Sequence, residues 1–162
     1  MESLLIHVGI GQLRVARNPA RLLCVGLGSC VAIALYDPSN KIGGMAHIML
    51  PHEMAGRTSE SMPAKFGDTA PKKLLGEMVS VGANPYVVIA KIVGGANMFK
   101  NVSPEMKDIG HENVEAVKEG LIRNHVKIIA EDIGGTIGRT VELDTSTGRL
   151  LIRNIHGRSR SL

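Results

Sequence analysis

The chain has 162 residues, enough for one domain with a substantial core, and a formal net charge of only +4 at pH 7. There is no Trp, and Tyr36, Tyr86, Phe66 and Phe99 are the only aromatics, so aliphatic side chains must build the core and no stacking platform for RNA or DNA is apparent. No apolar run approaches the ~20 residues of a membrane span, no basic-then-apolar leader opens the chain, and two cysteines make no disulfide framework; the expectation is a cytoplasmic protein with reduced thiols.

Glu2 to Val8 reads as an opening strand and Arg21 to Val25 as a second. Val31 to Tyr36 and Lys41 to Met49 read as a hairpin around Asp37-Pro38-Ser39-Asn40, where Pro presets φ and Asp and Asn bond their own backbone. Pro51 to Pro63 is polar and irregular, and is expected to be a mobile loop at the mouth of a site. Asp68 or Thr69 can cap a helix with Pro71 in its first turn and Gly82 at its end. Leu74, Leu75, Met78 and Val79 supply its apolar stripe. Tyr86 to Val93 is a short β-branched run, hence a buried strand. Ile109 to Asn124 predicts a second helix and Val126 to Ala130 a further strand. Thr140 to Leu143 and Arg149 to Ile155 close the series as a hairpin. The pattern predicts an α+β fold of two packed β-sheets with helices on the outside. It is a single domain over 1–162, with a basic tail expected to fray from about 156.

Cys30 follows the bend Gly26-Leu27-Gly28-Ser29, and His47 lies on the next predicted strand. A thiol and an imidazole are the minimal set for nucleophilic attack on a carbonyl carbon. If Tyr36 pairs with Lys41, antiparallel register places Cys30 directly opposite His47 on one face, whereas a one-residue slip separates them. Gly28 and Ser29 shape a bend that can aim the Ser29 and Cys30 amides at one oxyanion. Equally, the Ser29 hydroxyl can simply fix the turn. The bland alternative is that Cys30 is a small core hydrophobe.

Other constellations are weaker. Cys24, Cys30, His47 and His52 fit no common zinc spacing, and neither metal nor cofactor is expected. Gly134-Gly135 through Gly138 lacks the context of a phosphate loop and reads as a turn. His7, His111, His125 and His156 fall on surfaces or strand edges. The methionines read as core filler, with Met49, Met54 and Met62 as an alternative contact surface at the mouth. The papain-like proteases are excluded, since Val31 follows Cys30 and the histidine is too near.

Gly26-Leu-Gly-Ser-Cys-Val31, Tyr36-Asp-Pro38, Gly43-Gly-Met-Ala-His-Ile-Met-Leu-Pro51, Asp68-Thr-Ala70, Gly94-Gly-Ala-Asn-Met-Phe99, and Ile109-Gly110 with Asn113 carry a resemblance to the chemoreceptor glutamine deamidase family, CheD. It runs from about Ile6 to Ile155. It implies a fold like the catalytic domain of the cytotoxic necrotizing factors. It implies deamidation of glutamines to glutamates on the cytoplasmic helices of methyl-accepting chemoreceptors, with glutamyl methyl ester hydrolysis as a possible second reaction. The implied partners are those receptors, through which alone the protein meets the membrane, and a CheC-type phosphatase of the response regulator. By position, Cys30 is the implied nucleophile and His47 the base, working as a thiolate–imidazolium pair through a thioester. The family usually has threonine six residues before the nucleophile as third member of a triad; this chain has Cys24 there. Either a hydroxyl is needed to orient the imidazole, or a backbone carbonyl does that work. The alternative readings are a catalytically weak adaptor of the phosphatase, and a redox switch pairing Cys24 with Cys30.

Overall fold

The computed structural model of the protein describes residues 3–53 and 61–162. One five-stranded sheet runs in the order β1 (Leu4–His7), β3 (Ala20–Leu27), β8 (Arg139–Asp144), β9 (Leu150–Asn154), β10 (Ser159–Ser161). The other runs β2 (Leu13–Arg17), β5 (Ile42–Ile48), β4 (Val31–Asp37), β6 (Ile89–Gly94), β7 (Lys127–Ile133). Two helices, α1 (Ala70–Ser80) and α2 (Ile109–Arg123), complete the described elements.

Strand alternation sorts the core into two layers, one on each face of the second sheet. Ala32, Ala34 and Met45 meet Leu22, Cys24, Val141 and Leu143 of the first sheet. Ile33, Leu35, Ala46 and Ile48 meet Leu74 and Met78 of α1 and Val117 and Leu121 of α2. The architecture is thus α+β with two packed sheets, and both helices lie on the same outer face. β4, between β5 and β6, is buried along its whole length, which explains its uninterrupted apolar sequence. Among the described residues no helix is long and apolar enough to cross a membrane.

Both helices begin and end close to where the sequence places them. Asp108 caps α2 by accepting from the His111 N–H at 2.9 Å. Thr69 occupies the cap position of α1 without a side-chain bond, and Pro71 fills the first turn. Gly82 takes φ +107° just past its end.

Three expectations are corrected, and one strand is added to those the sequence predicts. The strand expected from Tyr86 begins only at Ile89, because the Asn84 side chain accepts from the Tyr86 N–H and holds a turn there, leaving Tyr86 exposed. The basic tail does not fray: Ser159, Arg160 and Ser161 pair with Arg153, Ile152 and Leu151. β2 carries no pattern that marks it as a strand in the sequence; it is the edge partner of β5.

The third correction concerns the hairpin. Its ladder pairs Asp37 with Ile42 and Ala32 with His47, so Cys30 is not directly opposite His47. The cause is the turn. Asp37 accepts from the Ser39 and Asn40 N–H groups at 2.8 and 3.0 Å, and from Asn40 Nδ2 and the Asn84 N–H at 2.8 Å. Lys41 has φ +51° and belongs to the loop, not to the strand. The register therefore differs by two residues from the expected one. An even shift preserves the face, so Cys30 and His47 remain on the same side as diagonal neighbours.

Burial raises the Asp37 pKa, but its hydrogen bonds to Asn40, Asn84 and Ser39 outweigh that and hold it below the ordinary value. A carboxylate lowered in the folded state stabilises above its unfolded pKa, and the stabilisation is lost as pH falls through the folded one. Asp37→Ala is expected to cost ~3 kcal/mol near neutral pH, from lost bonds to a charged acceptor, and the difference from wild type should shrink in acid. Urea melts of both proteins at pH 7 and pH 3 check this.

Candidate active site

The bend before β4 delivers Cys30 to the end of the sandwich. Three successive carbonyls there are tied down. The Ala96 N–H donates to Gly28 O at 2.9 Å, Asn113 Nδ2 to Ser29 O at 2.9 Å, and the Gly95 N–H to Cys30 O at 2.9 Å. The Gly-Gly-Ala-Asn stretch after β6 exists for this contact. Gly94 sits at φ +112°, and a Cβ there would strike Cys30 O. Gly110 is equally required, because a Cβ would strike Ala96 O where α2 comes in. The Gly134-Gly135 turn closes the arrangement from behind: its Gly134 N–H donates to Gly94 O at 3.0 Å, and Gly135 O accepts from Asn97 at 2.9 Å.

The peptide is planar and trans, so each N–H points away from the carbonyl of its own unit. Tying Gly28 O and Ser29 O therefore turns the Ser29 and Cys30 N–H groups the other way. Neither amide donates a hydrogen bond among the described residues. These are the two groups named from sequence as oxyanion donors.

His47 is 2% exposed. Its Nδ1 lies 3.2 Å from Val8 O. A carbonyl only accepts, so Nδ1 carries the proton and Nε2 holds the lone pair. Nε2 is buried with no partner among the described residues. This is the tautomer a general base needs. Val8 reaches this place because β1 runs parallel to β3, with the Val8 N–H donating to Leu23 O at 2.8 Å. The orienting carbonyl is thus that of Val8 rather than that of Cys24.

Cys24 lies in β3, fully buried, in the same inter-sheet cluster as Val8, Ala32 and the partly buried Cys30. Its pKa is pushed up to about 12, by burial first and by the nearby Cys30 second. Burial also raises the Cys30 thiol. Burial lowers His47, and its bond to Val8 only partly offsets this. Both shifts favour the uncharged forms. Burial thus works against a standing thiolate–imidazolium pair.

The remaining candidates lie elsewhere. His52 points outward, 3.7 Å from Asp68 with its side chain 65% exposed. Among the described residues no three His, Cys, Asp or Glu side chains cluster as metal ligands. Met49 is exposed beside the site and Met62 packs near Gly11, while Met54 lies outside the described residues, as does much of the loop expected at the mouth. Sequence reasoning used neither Val8 nor the side chain of Asn113. Asn113 is wholly buried on a helix otherwise lined by Val and Leu on that face, and a lone amide among apolar positions was the available signal. A cavity of about 480 Å³ beside the bend is lined by Gly26, Gly28, Met98, Arg139, Arg153 and Ile155, among others. Apolar side chains are exposed close to the bend: Val25 precedes Gly26, Met98 lies against Gly28, and Met49 follows His47 by two residues.

A thiol, an imidazole nitrogen and two amides, the last three without a hydrogen-bond partner among the described residues, are groups that can support thiol-dependent acyl transfer. Comparison with known proteins places the chain more closely. The family described as "CheD chemotactic sensory transduction" matches residues 49–154. The "Chemoreceptor glutamine deamidase CheD" of Halalkalibacterium halodurans is 45% identical over 152 residues, covering 93% of this chain and 94% of that one. The protein of the same description from Thermotoga maritima is 45% identical over 150 residues, covering 93% and 92%. Among solved structures, a Neisseria meningitidis protein of the family DUF152 aligns with a TM-score of 0.49 at 10% identity, covering 91% of this chain and 73% of that one. The chain belongs to the CheD family of chemoreceptor glutamine deamidases.

Proposed function

We propose that the protein hydrolyses the side-chain amide of selected glutamines on the cytoplasmic helices of methyl-accepting chemoreceptors, with Cys30 as nucleophile and His47 as base. The observation that carries this reading is the buried His47 Nε2, without a partner among the described residues, on the inter-sheet side against which Cys30 packs, together with two amides at the Cys30 bend that donate to none of the described residues. His47 Nε2 takes the thiol proton as Cys30 Sγ attacks the glutamine Cδ. The N–H groups of Ser29 and Cys30 receive the developing oxyanion. The protonated imidazole hands its proton to the leaving nitrogen, ammonia departs, and a glutamyl thioester remains. His47 then takes a proton from water, which attacks the thioester; glutamate is released and the thiol restored. The sum is glutamine plus water giving glutamate plus ammonia. Because burial disfavours both the thiolate and the imidazolium, proton transfer and attack are coupled on this reading.

A glutamyl methyl ester fits the same acyl chemistry with methanol as leaving group. The apolar side chains exposed close to the bend suit a helix face, and by family resemblance a CheC-type phosphatase competes for them. Cys24 keeps its place in the core rather than at the reacting centre on this reading. The test is mass spectrometry of receptor cytoplasmic fragments after incubation with the protein. Wild type should add the ~1 Da of amide-to-acid conversion at discrete glutamines, and Cys30→Ala should add none, since without a nucleophile no thioester forms. Unmodified fragments with wild type would leave the adaptor reading in front.

A further inference from the structure

We infer that Asn113 is a positioning residue for the reaction, a side-chain lock that holds the Ser29–Cys30 peptide plane so that the Cys30 N–H faces the reacting carbonyl. The inference rests on the reading of Cys30 and His47 as the reacting pair.

Asn113 lies in α2 and is 0% exposed. Its Nδ2 donates both hydrogens, one to Ser29 O at 2.9 Å and one to Met49 O at 3.2 Å. The opposite amide assignment would set Oδ1 against two carbonyl oxygens, so the network decides the orientation. Its Oδ1 is buried with no partner among the described residues. A polar group buried at the cost of an unsatisfied acceptor must be retained for its other end.

That other end bridges the two strand ends that bear the site. The β4–β5 ladder stops at the pair Val31 and Ile48. Beyond it, Ser29 and Met49 turn their carbonyls to the helix instead of to each other. Ser29 immediately precedes Cys30, and Met49 follows His47 by two residues. One amide group therefore sets both the splay of the strand ends and the tilt of the peptide carrying the Cys30 N–H. The neighbouring planes need no such help, because Gly28 O and Cys30 O are held by the backbone amides of Ala96 and Gly95. Only the middle plane depends on a side chain, so only there can substitution loosen the lock without moving the loop that carries it.

The experiment compares wild type, Asn113→Ala and Asn113→Asp. On receptor fragments, Asn113→Ala should lower kcat by ~10–100-fold, short of the ~10²–10³ for outright loss of an oxyanion donor, with KM within about twofold, since a misaimed donor acts in the transition state. Alkylation of Cys30 by iodoacetamide, which builds no oxyanion, should stay within about twofold of wild type. Asn113→Asp is nearly isosteric and keeps a donor only while its carboxyl is protonated. Its kcat should fall with rising pH, where wild type does not, because an ionised carboxylate repels Ser29 O and Met49 O. A merely structural asparagine would lower thermal stability and create no such pH limb. Wild-type kcat in Asn113→Ala, or equal losses in kcat and alkylation, overturns the inference. A wild type without deamidase activity would instead overturn the reading of the site. The inference is still decided in that case by a crystal structure of Asn113→Ala: a displaced or flipped Ser29–Cys30 peptide supports the lock, and an unmoved one overturns it.

Discussion

His47→Ala is expected to lower kcat for deamidation by ~10²–10⁴-fold, the usual contribution of a positioned acid–base group. The same imidazole would serve three proton transfers: from the thiol, to ammonia, and from water. Its Nδ1 is already committed to Val8 O, so Nε2 has no competing tautomer and no other duty among the described residues. Loss of the ring also strips Val8 O of that bond and opens a small cavity, so a stability loss of ~1–3 kcal/mol should accompany it; a thermal melt separates that from catalysis. His52→Ala should stay within about twofold of wild type, since His52 points away from the site with its side chain 65% exposed. Equal loss at both positions would mean that neither histidine acts as the base. The wild-type profile supplies a second check. The base must be neutral, and burial lowers its pKa. The acid limb of kcat/KM should therefore fall below about 6.5, the ordinary value for histidine, with activity flat through neutral pH.

The two thiols should differ sharply. Cys30 should be the one alkylated by iodoacetamide, slowly near pH 6 and tenfold faster per pH unit as its thiolate fraction grows, because burial raises its pKa and no cation among the described residues offsets this. Cys24, fully buried and pushed up to about 12, should react only when the fold opens. His47→Ala should leave that ratio largely intact, since burial disfavours the imidazolium that would stabilise a thiolate. Rapid labelling of Cys30 at pH 6 would instead reveal a standing ion pair. Cys24→Thr should leave turnover within a few-fold of wild type, because the Val8 carbonyl already orients the ring. A sharp rise would show that a hydroxyl was wanted at that position. Native labelling of Cys24 with Cys30 inert would remove Cys30 from the mechanism and favour the adaptor.

Local signals in this chain were legible wherever the cause was itself local. The α1 boundaries follow from Pro71 and Gly82, whose effects reach only a turn or so along the backbone. The buried strand β4 follows from an unbroken apolar run, and the choice of Cys30 and His47 from residue type and the glycine bend. The hairpin shows the limit. Its turn was found, yet its register was set by the Asp37 carboxylate and by Asn84, which lies 47 residues away. The shared face of Cys30 and His47 survived only because an error of two residues preserves strand parity. What depended on distant segments was decided by tertiary structure. β2 and β10 are short and weakly patterned, and they become strands because β5 and β9 offer them open edges. Val8 orients His47 only because β1 runs parallel to β3, and Asn113 grips Ser29 from 84 residues away. Whether thiol and imidazole rest charged or neutral was also beyond the sequence. That balance is set by how much water two sheets exclude, a property of their packing rather than of either residue.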